Sequence, residues 1–135
     1  MFYAVQENSG AKISQLLLDH PDLVNCELIN GLTNPICRSA TLGNNNIILL
    51  LLKHGADINL RSSDGRTPLM WASIHGKLST IDLLLENGAD KDLTDQEGLN
   101  CFDHCVIKCH YMAAKFLYDK HGMTRNADER ELLYR

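Results

Sequence analysis

Apolar side chains along this 135-residue chain gather in four short stripes, each with the spacing of an amphipathic helix. The stripes fall within residues 13–18, 47–52, 81–85 and 112–117. Polar residues, glycines and prolines separate them, so each stripe predicts a helix bounded by turns. A single helix cannot bury its own apolar stripe, and the pattern therefore predicts helices that stack against one another.

The residues in the turns recur at a fixed spacing. A period of 33 residues relates Gly43, Gly76 and Cys109; Gly55, Gly88 and His121; Ala56 and Ala89; Asp57 and Asp90; and Gly65 and Gly98. Leucine spacing alone would fit any amphipathic helix, whereas turn glycines that keep the same period indicate a repeated supersecondary unit.

Residues 64–92 carry a complete set of boundary signals for two helices. Thr67 stands at an N-cap position, and Pro68 follows at the first helical position, where a missing N–H costs nothing. Gly76 ends this first helix. The stripe at 81–85 then forms the second helix, and a glycine again follows it. This segment therefore predicts one helix-turn-helix unit.

The run Thr67-Pro68-Leu69-Met70-Trp71-Ala72 resembles the T-P-L-H-x-A signature of the ankyrin repeat, a turn followed by two helices. Met70 stands at the histidine position, which removes one side-chain hydrogen bond. The resemblance implies an all-α ankyrin-repeat solenoid of about four helix-turn-helix repeats with degenerate end repeats. The repeats are expected near residues 1–26, 27–60, 61–93 and 94–123, and residues 124–135 are expected to form a C-terminal helix, a cap or a linker.

Two units depart from the pattern. One extra residue, Asn34, separates Thr33 from Pro35, and because Asn is a good N-cap it predicts a slightly remodelled helix start. The first unit has no turn glycine after its stripe, as expected of a capping repeat. Its first helix is expected to be short, from about Phe2 to Glu7.

Composition narrows the classes of partner. The formal net charge of −4 argues against binding to nucleic acid or anionic membranes, which requires clustered Lys and Arg. No apolar run approaches the length of a membrane-spanning helix, and the N-terminus lacks the features of a signal peptide. We therefore expect no membrane insertion, a cytoplasmic or nuclear location, and five cysteines that remain reduced.

Cys101, Cys105 and Cys109 lie near His104 and His110 and raise the question of a metal or redox site. In a helix, positions 101 and 109 would be about 12 Å apart, whereas one zinc ion requires sulfurs within about 4.6 Å of each other. The residues therefore favour small buried side chains over a metal site. The sequence also offers no oxyanion site beside a Cys–His pair and no clustered glycines for phosphate, so no enzyme activity and no cofactor are expected.

The resemblance implies a protein–protein interaction module, or scaffold, that recognises a protein or peptide through a concave surface. The turns and first helices of the repeats line that surface in the family. The expected partner-binding residues are Leu42, Arg66, Met70, Trp71, Ile74, His75, Asp103 and Lys108. Other family contact positions fall on Asn30, Leu32, Cys37, Thr41, Ser63, Asp64, Gln96, Glu97, Leu99 and Ile107.

Alternatives remain open at this stage. Trp71 suits either a binding anchor or packing between first helices. The alternative function is an accessory domain, or a fragment, of a larger enzyme, channel or regulator. A self-associating piece that stacks end to end is a further alternative, although a monomer is favoured.

Overall fold

The computed structural model describes residues 1–28 and 33–126. Over these residues the backbone is helical, apart from loops and one isolated antiparallel bridge between Leu28 and Thr33. A 3-10 helix spans Pro21–Asn25. The α-helices in this part of the chain are α1 (Phe2–Gln6), α2 (Gly10–Asp19), α3 (Pro35–Leu42), α4 (Asn45–Lys53), α5 (Pro68–Ile74), α6 (Leu78–Glu86), α7 (Cys101–Ile107) and α8 (Tyr111–His121).

Side-chain caps fix the starts of three first helices. In each, the cap oxygen accepts a hydrogen bond from the N–H three residues later, which satisfies a donor that has no partner inside the helix. The bonds join Asn34 to Cys37 at 3.0 Å, Thr67 to Met70 at 3.3 Å, and Asn100 to Asp103 at 2.9 Å. The predicted cap at Asn34 is therefore confirmed.

The turn between the two helices of a repeat uses a left-handed backbone conformation. Gly43 and Gly76 adopt φ angles of 73° and 64°, which glycine accepts without steric cost. Cys109, at the equivalent place in the last pair, has a φ of 60°. The 33-residue spacing of these three positions thus reflects one shared backbone requirement.

The helices form two rows. The first helices α1, α3, α5 and α7 pack successively against one another, and the second helices α2, α4, α6 and α8 do the same. Each first helix also packs against the second helix of its own pair. Four leucines in equivalent positions of the second helices, Leu17, Leu51, Leu84 and Leu117, are fully buried between the rows. Each such leucine is worth roughly 1.5–3 kcal/mol when buried.

Hydrogen bonds at the repeat period join neighbouring pairs outside the core. Asn25 Oδ1 accepts from Asp57 N at 3.1 Å, and Asn59 Oδ1 accepts from Asp90 N at 3.0 Å. Two finger loops, residues 62–66 and 95–99, are closed by backbone bonds of 2.9 and 3.0 Å between their end residues. The same contact therefore recurs from repeat to repeat, as in a solenoid.

The predicted all-α helical solenoid is confirmed over the described residues, and α1 falls where a short first helix was expected. The predicted C-terminal helix or cap falls largely on residues 127–135, which lie outside the described residues. No helix in the described ranges is long and apolar enough to cross a membrane.

Candidate functional site

A cleft of about 440 Å³ lies between α5 and α7, beside the finger loops that precede them. Its apolar wall consists of Ile74, Leu99 and Ile107. Its polar lining is supplied by Arg66, Glu97, His104 and Lys108. The structure thus brings three of the predicted binding residues, Arg66, Ile74 and Lys108, to one place although they are far apart in the sequence.

The guanidinium of Arg66 spans the two finger loops at the edge of the cleft. Arg66 Nη1 lies 3.2 Å from Asp64 Oδ2 in its own finger, and Arg66 Nε lies 3.6 Å from Asp95 Oδ2 in the next. The Arg66 Cζ atom also stands 5.2 Å from the centre of the Trp71 ring. Because the arginine is held by two carboxylates and one ring, it is presented in a defined orientation.

Asp95 and His104 form a buried pair beneath Arg66. Asp95 Oδ1 accepts backbone hydrogen bonds from Glu97 and Leu99, and Asp95 Oδ2 lies 2.9 Å from His104 Nε2. Burial by itself would raise the pKa of Asp95, but these hydrogen bonds outweigh it and hold the pKa below its ordinary 3.8. The carboxyl group is therefore ionised at neutral pH and anchors the finger loop.

The surroundings of His104 lower its pKa, which keeps the imidazole neutral. Its side chain is only 3% exposed, and this burial lowers its pKa from the ordinary 6.5, although the hydrogen bond to Asp95 opposes the change. A neutral ring donates through Nε2 to the carboxylate of Asp95. The pair has an evident structural role in joining α7 to its finger loop.

Trp71 is half-buried and packs on the core while its polar edge is bonded. Its Nε1 donates to Ser62 Oγ at 3.0 Å, and its ring stacks on that of His75 with centroids 6.3 Å apart. The side chain therefore joins α5 to its own finger loop, and one part of its surface remains accessible. Trp71 therefore packs against the core and also contributes to the accessible surface.

His75, the C-cap of α5, is exposed and lies among cations. Partial burial lowers its pKa, and the positive charges of Lys77, Arg38 and Lys108 lower it further. Leu42, in the position of α3 equivalent to His75, is half-buried. The first helices thus end in a mixed apolar and basic surface.

Two of the predicted binding residues lie inside the protein. Met70 is 1% exposed, and Asp103 is 0% exposed. Asp103 accepts bonds from the backbone N–H of Asn100 at 3.0 Å and of Asn126 at 3.0 Å, so it holds the start of α7 and the chain that follows α8. Neither side chain is therefore available to a partner.

The other contact positions implied by the family resemblance also include both buried and partly exposed residues. Cys37 is buried, Leu99 is a buried part of the cleft wall, and Ile107 is half-buried in the same wall. Asn30 and Leu32 lie outside the described residues. The basic residues Arg38 and Lys77 were not among the predicted binding residues, because no family position marked them. The signal that could have found them is the absence of acidic residues from α3, which contains Arg38, and from α5, which precedes Lys77.

Cys101 and Cys105 behave as small core residues. Cys101 and Cys105 are buried, and burial raises their thiol pKa values to about 12 and about 11. Both remain protonated at neutral pH, whereas a nucleophile or a metal ligand must be a thiolate. Cys109 is exposed on the surface. No group of three or more His, Cys, Asp or Glu side chains placed to hold a metal ion occurs in residues 1–28 and 33–126.

Comparison with known proteins identifies the class to which this repeated helical fold belongs. The model of the family "Ankyrin repeats (3 copies)" matches residues 1–95. The chain therefore belongs to the ankyrin repeat family.

Several relatives share the repeats at modest identity. Ankyrin repeat domain-containing protein SAT10 of Stachybotrys chartarum is 36% identical over 106 residues, which cover 78% of this chain and 5% of the relative. Ankyrin repeat and SAM domain-containing protein 6 of Mus musculus is 31% identical over 109 residues, which cover 79% of this chain and 12% of the relative. The probable E3 ubiquitin-protein ligase XBOS33 of Oryza sativa is 34% identical over 82 residues, which cover 61% of this chain and 16% of the relative. The chain thus spans a small part of the length of each of these relatives.

Proposed function

We propose that this chain is a protein–protein interaction module that recognises a protein or peptide through its first helices and finger loops. The observation that carries the proposal is the cleft between α5 and α7, in which apolar Ile74 and Ile107 lie beside Arg66 and Lys108. A binding patch typically combines an apolar centre with polar groups around it. Leu42, Trp71 and His75 extend this surface toward α3.

The recognition mechanism is docking onto a rigid surface. One cleft wall is α5, which packs against α3 and α7, and the other is α7, which packs against α5 and α8. Arg66 is oriented by Asp64 and Asp95 before a partner arrives. Little ordering of these side chains is needed on binding, which lowers the entropic cost of association.

The proposal is tested by affinity capture from the source cell with two matched variants. Ile74→Ser with Lys108→Glu alters the cleft, whereas Leu49→Ser with Lys115→Glu makes the same chemical changes on exposed positions of the second helices. Proteins lost with the cleft variant and retained with the control are the expected result. Equal capture by both folded variants would contradict the use of this surface.

A second candidate function is supported by the lengths of the relatives. The chain corresponds to 16% of the rice protein and 5% of the fungal one, and the module is then the recognition part of a larger protein. An antibody raised against these 135 residues tests this directly. A native band far above 15.1 kDa is expected, and a band at that mass would contradict the accessory-domain alternative.

A further inference from the structure

Charge is distributed unevenly between the two rows of helices. The first helices α1, α3, α5 and α7 contain one acidic side chain, Asp103, and it is fully buried. Accessible cations on this side are Arg38 in α3, Lys108 at the end of α7 and Lys77 just after α5. Of the nearby acidic residues, Glu7 after α1 pairs with Lys12, and Glu97 lines the cleft together with Arg66. A chain with a net charge of −4 therefore presents a positive surface on its first-helix side. We call Arg38, His75, Lys77 and Lys108 the basic inner surface.

The cations of this surface are not neutralised by the fold. Arg38, Lys77 and Lys108 make no ion pair with a carboxylate in the part of the chain that the structure describes. Arg38 Nε instead donates to the uncharged Gln6 Oε1 at 2.9 Å. By contrast, Lys115 and Lys120 on α8 pair with Asp119 and Asp82.

Helix electrostatics explain only part of this arrangement. A cation at the C-terminal end of a helix is favourable, which suits Lys108 and His75 as C-caps. Lys77, however, is the N-cap of α6, and Arg38 lies inside α3, where the helix dipole does not favour positive charge. The helix dipole therefore does not explain these two cations, although Arg38 also contacts α1 through Gln6 and through the Phe2 ring, whose centre lies 5.7 Å from its Cζ.

The three cations lie near His75, the C-cap of α5. Lys77 reaches across to the preceding pair, and its Cδ would lie 3.1 Å from a Cβ placed at Gly43. The charges of Lys77, Arg38 and Lys108 all act on the ring of His75. Leu42, Ile74 and Ile107 are half-buried beside them and supply apolar contact area.

We propose that the basic inner surface binds an acidic segment of a protein partner in which carboxylates are interspersed with apolar side chains. The inference rests on the proposed function and specifies the chemistry of its ligand. Carboxylates would pair with Arg38, Lys77 and Lys108, while apolar side chains cover Ile74 and Ile107. The carboxylates of Asp64 and Asp95 flank Arg66 at the finger side of the cleft and disfavour a continuous polyanion such as nucleic acid.

The test is selection of random 12-residue peptides displayed in a library against the whole protein. Enriched peptides are expected to be rich in Asp and Glu with aliphatic neighbours. Synthetic copies of them should change the fluorescence of Trp71, the only tryptophan. Their affinity should fall as salt is raised from about 0.05 to about 0.5 M, because exposed charge pairs are screened.

Matched neutral variants locate the site. Arg38→Gln, Lys77→Gln and Lys108→Gln together should weaken the selected acidic peptides roughly tenfold. Lys12→Gln, Lys53→Gln and Lys115→Gln remove the same charge from the second helices and should leave the affinity within about twofold. Circular dichroism melting checks that both triple variants fold.

The outcomes separate the inference from the proposed function. Enriched peptides that are neutral or basic, or that bind both triple variants equally while losing affinity to Ile74→Ser, would overturn the acidic ligand and leave the interaction surface standing. No enrichment at all would overturn both. Tighter binding of a labelled single-stranded oligonucleotide than of any acidic peptide would likewise overturn the assignment to a protein partner.

Discussion

Asp103 shows how one side chain can serve two neighbouring segments. One carboxylate oxygen accepts from the N–H of Asn100 at the start of α7, and both oxygens lie within 3.2 Å of the N–H of Asn126 after α8. A charge at this position would suggest a binding residue from sequence alone. Its complete burial makes it a structural residue instead.

Asp103→Ala is expected to destabilise the protein by about 2 kcal/mol, because it removes a helix cap and leaves buried N–H groups unpaired. Urea unfolding followed by circular dichroism measures the change. Asp119→Ala removes an exposed carboxylate that pairs with Lys115, and it should cost no more than about 0.5 kcal/mol. Similar losses in the two variants would contradict the capping role of Asp103.

The buried His104 is expected to make stability dependent on pH. Its folded-state pKa is lowered from 6.5, chiefly by burial, so the unfolded chain binds the proton more readily. Its contribution to stability is therefore fully present above about pH 6.5 and is lost as the pH falls through the folded pKa. Partial burial also lowers the pKa of His75, so this residue adds to the same loss of stability. The pKa of Asp95 is held below its ordinary value of 3.8, so a separate loss of stability is expected below about pH 3.8.

Urea unfolding between pH 8 and pH 5 tests this expectation. The free energy of unfolding of the wild type should fall over this range, and His104→Gln should reduce the slope while retaining a donor toward Asp95. A slope unchanged by the substitution would assign the acid sensitivity to other groups.

At the scale of the element, each turn between a first and a second helix depends on one left-handed residue. Gly76 meets this need at no steric cost, and a Cβ added there would come within 2.6 Å of the ring of His110. That ring contacts the carbonyl oxygen of Ile74 at 2.9 Å, which joins the turn of the last pair to α5. Gly76 is thus fixed both by backbone conformation and by the neighbouring repeat.

Cys109→Gly is expected to stabilise the protein by about 0.5–1 kcal/mol. A non-glycine residue in the left-handed region costs roughly 1–2 kcal/mol, and part of the gain is offset because glycine loses more conformational entropy on folding. Gly76→Ala, the opposite change at the equivalent position, should lower stability by more than about 1 kcal/mol. Thermal melting of both variants provides the measurement. A lower melting temperature for Cys109→Gly would show that the thiol makes a compensating contribution.

At the scale of the molecule, stability depends on contacts between neighbouring pairs. α6 packs against both α4 and α8, whereas α2 packs against α4 on one side only. In a linear array of this kind, stability is approximately a sum of repeat terms and nearest-neighbour terms. The central pair therefore supports the pairs on both sides of it.

Two equivalent buried leucines test this coupling. Leu84→Ala should cost about 3 kcal/mol and reduce amide protection in α4 and α8 as well as in α6. Leu17→Ala removes the same side chain from the first pair, and its loss of protection should be confined largely to α1, α2 and the neighbouring α4. Hydrogen exchange resolved by helix makes the comparison. A uniform loss of protection in both variants would indicate a single cooperative unit without repeat-level coupling.

Much of the fold could be predicted from the sequence because its determinants are local. The caps at Asn34 and Thr67, the turn glycines and the apolar stripes act within a few residues of themselves, and their 33-residue period indicated the stacked architecture. The candidate site was predictable only in part. Arg66, Ile74 and Lys108 do line one cleft, whereas Met70 and Asp103 are buried.

The sequence by itself determined the repeat, the helix boundaries and the family, because each depends on short-range patterns of residues. Tertiary structure decided which charges are accessible and which side chains share a surface. Net charge is an average over the chain, but packing places the acidic Asp103 inside and leaves Arg38, Lys77 and Lys108 accessible near His75. Burial and proximity depend on segments 30 or more residues apart, so no local pattern could specify the basic inner surface.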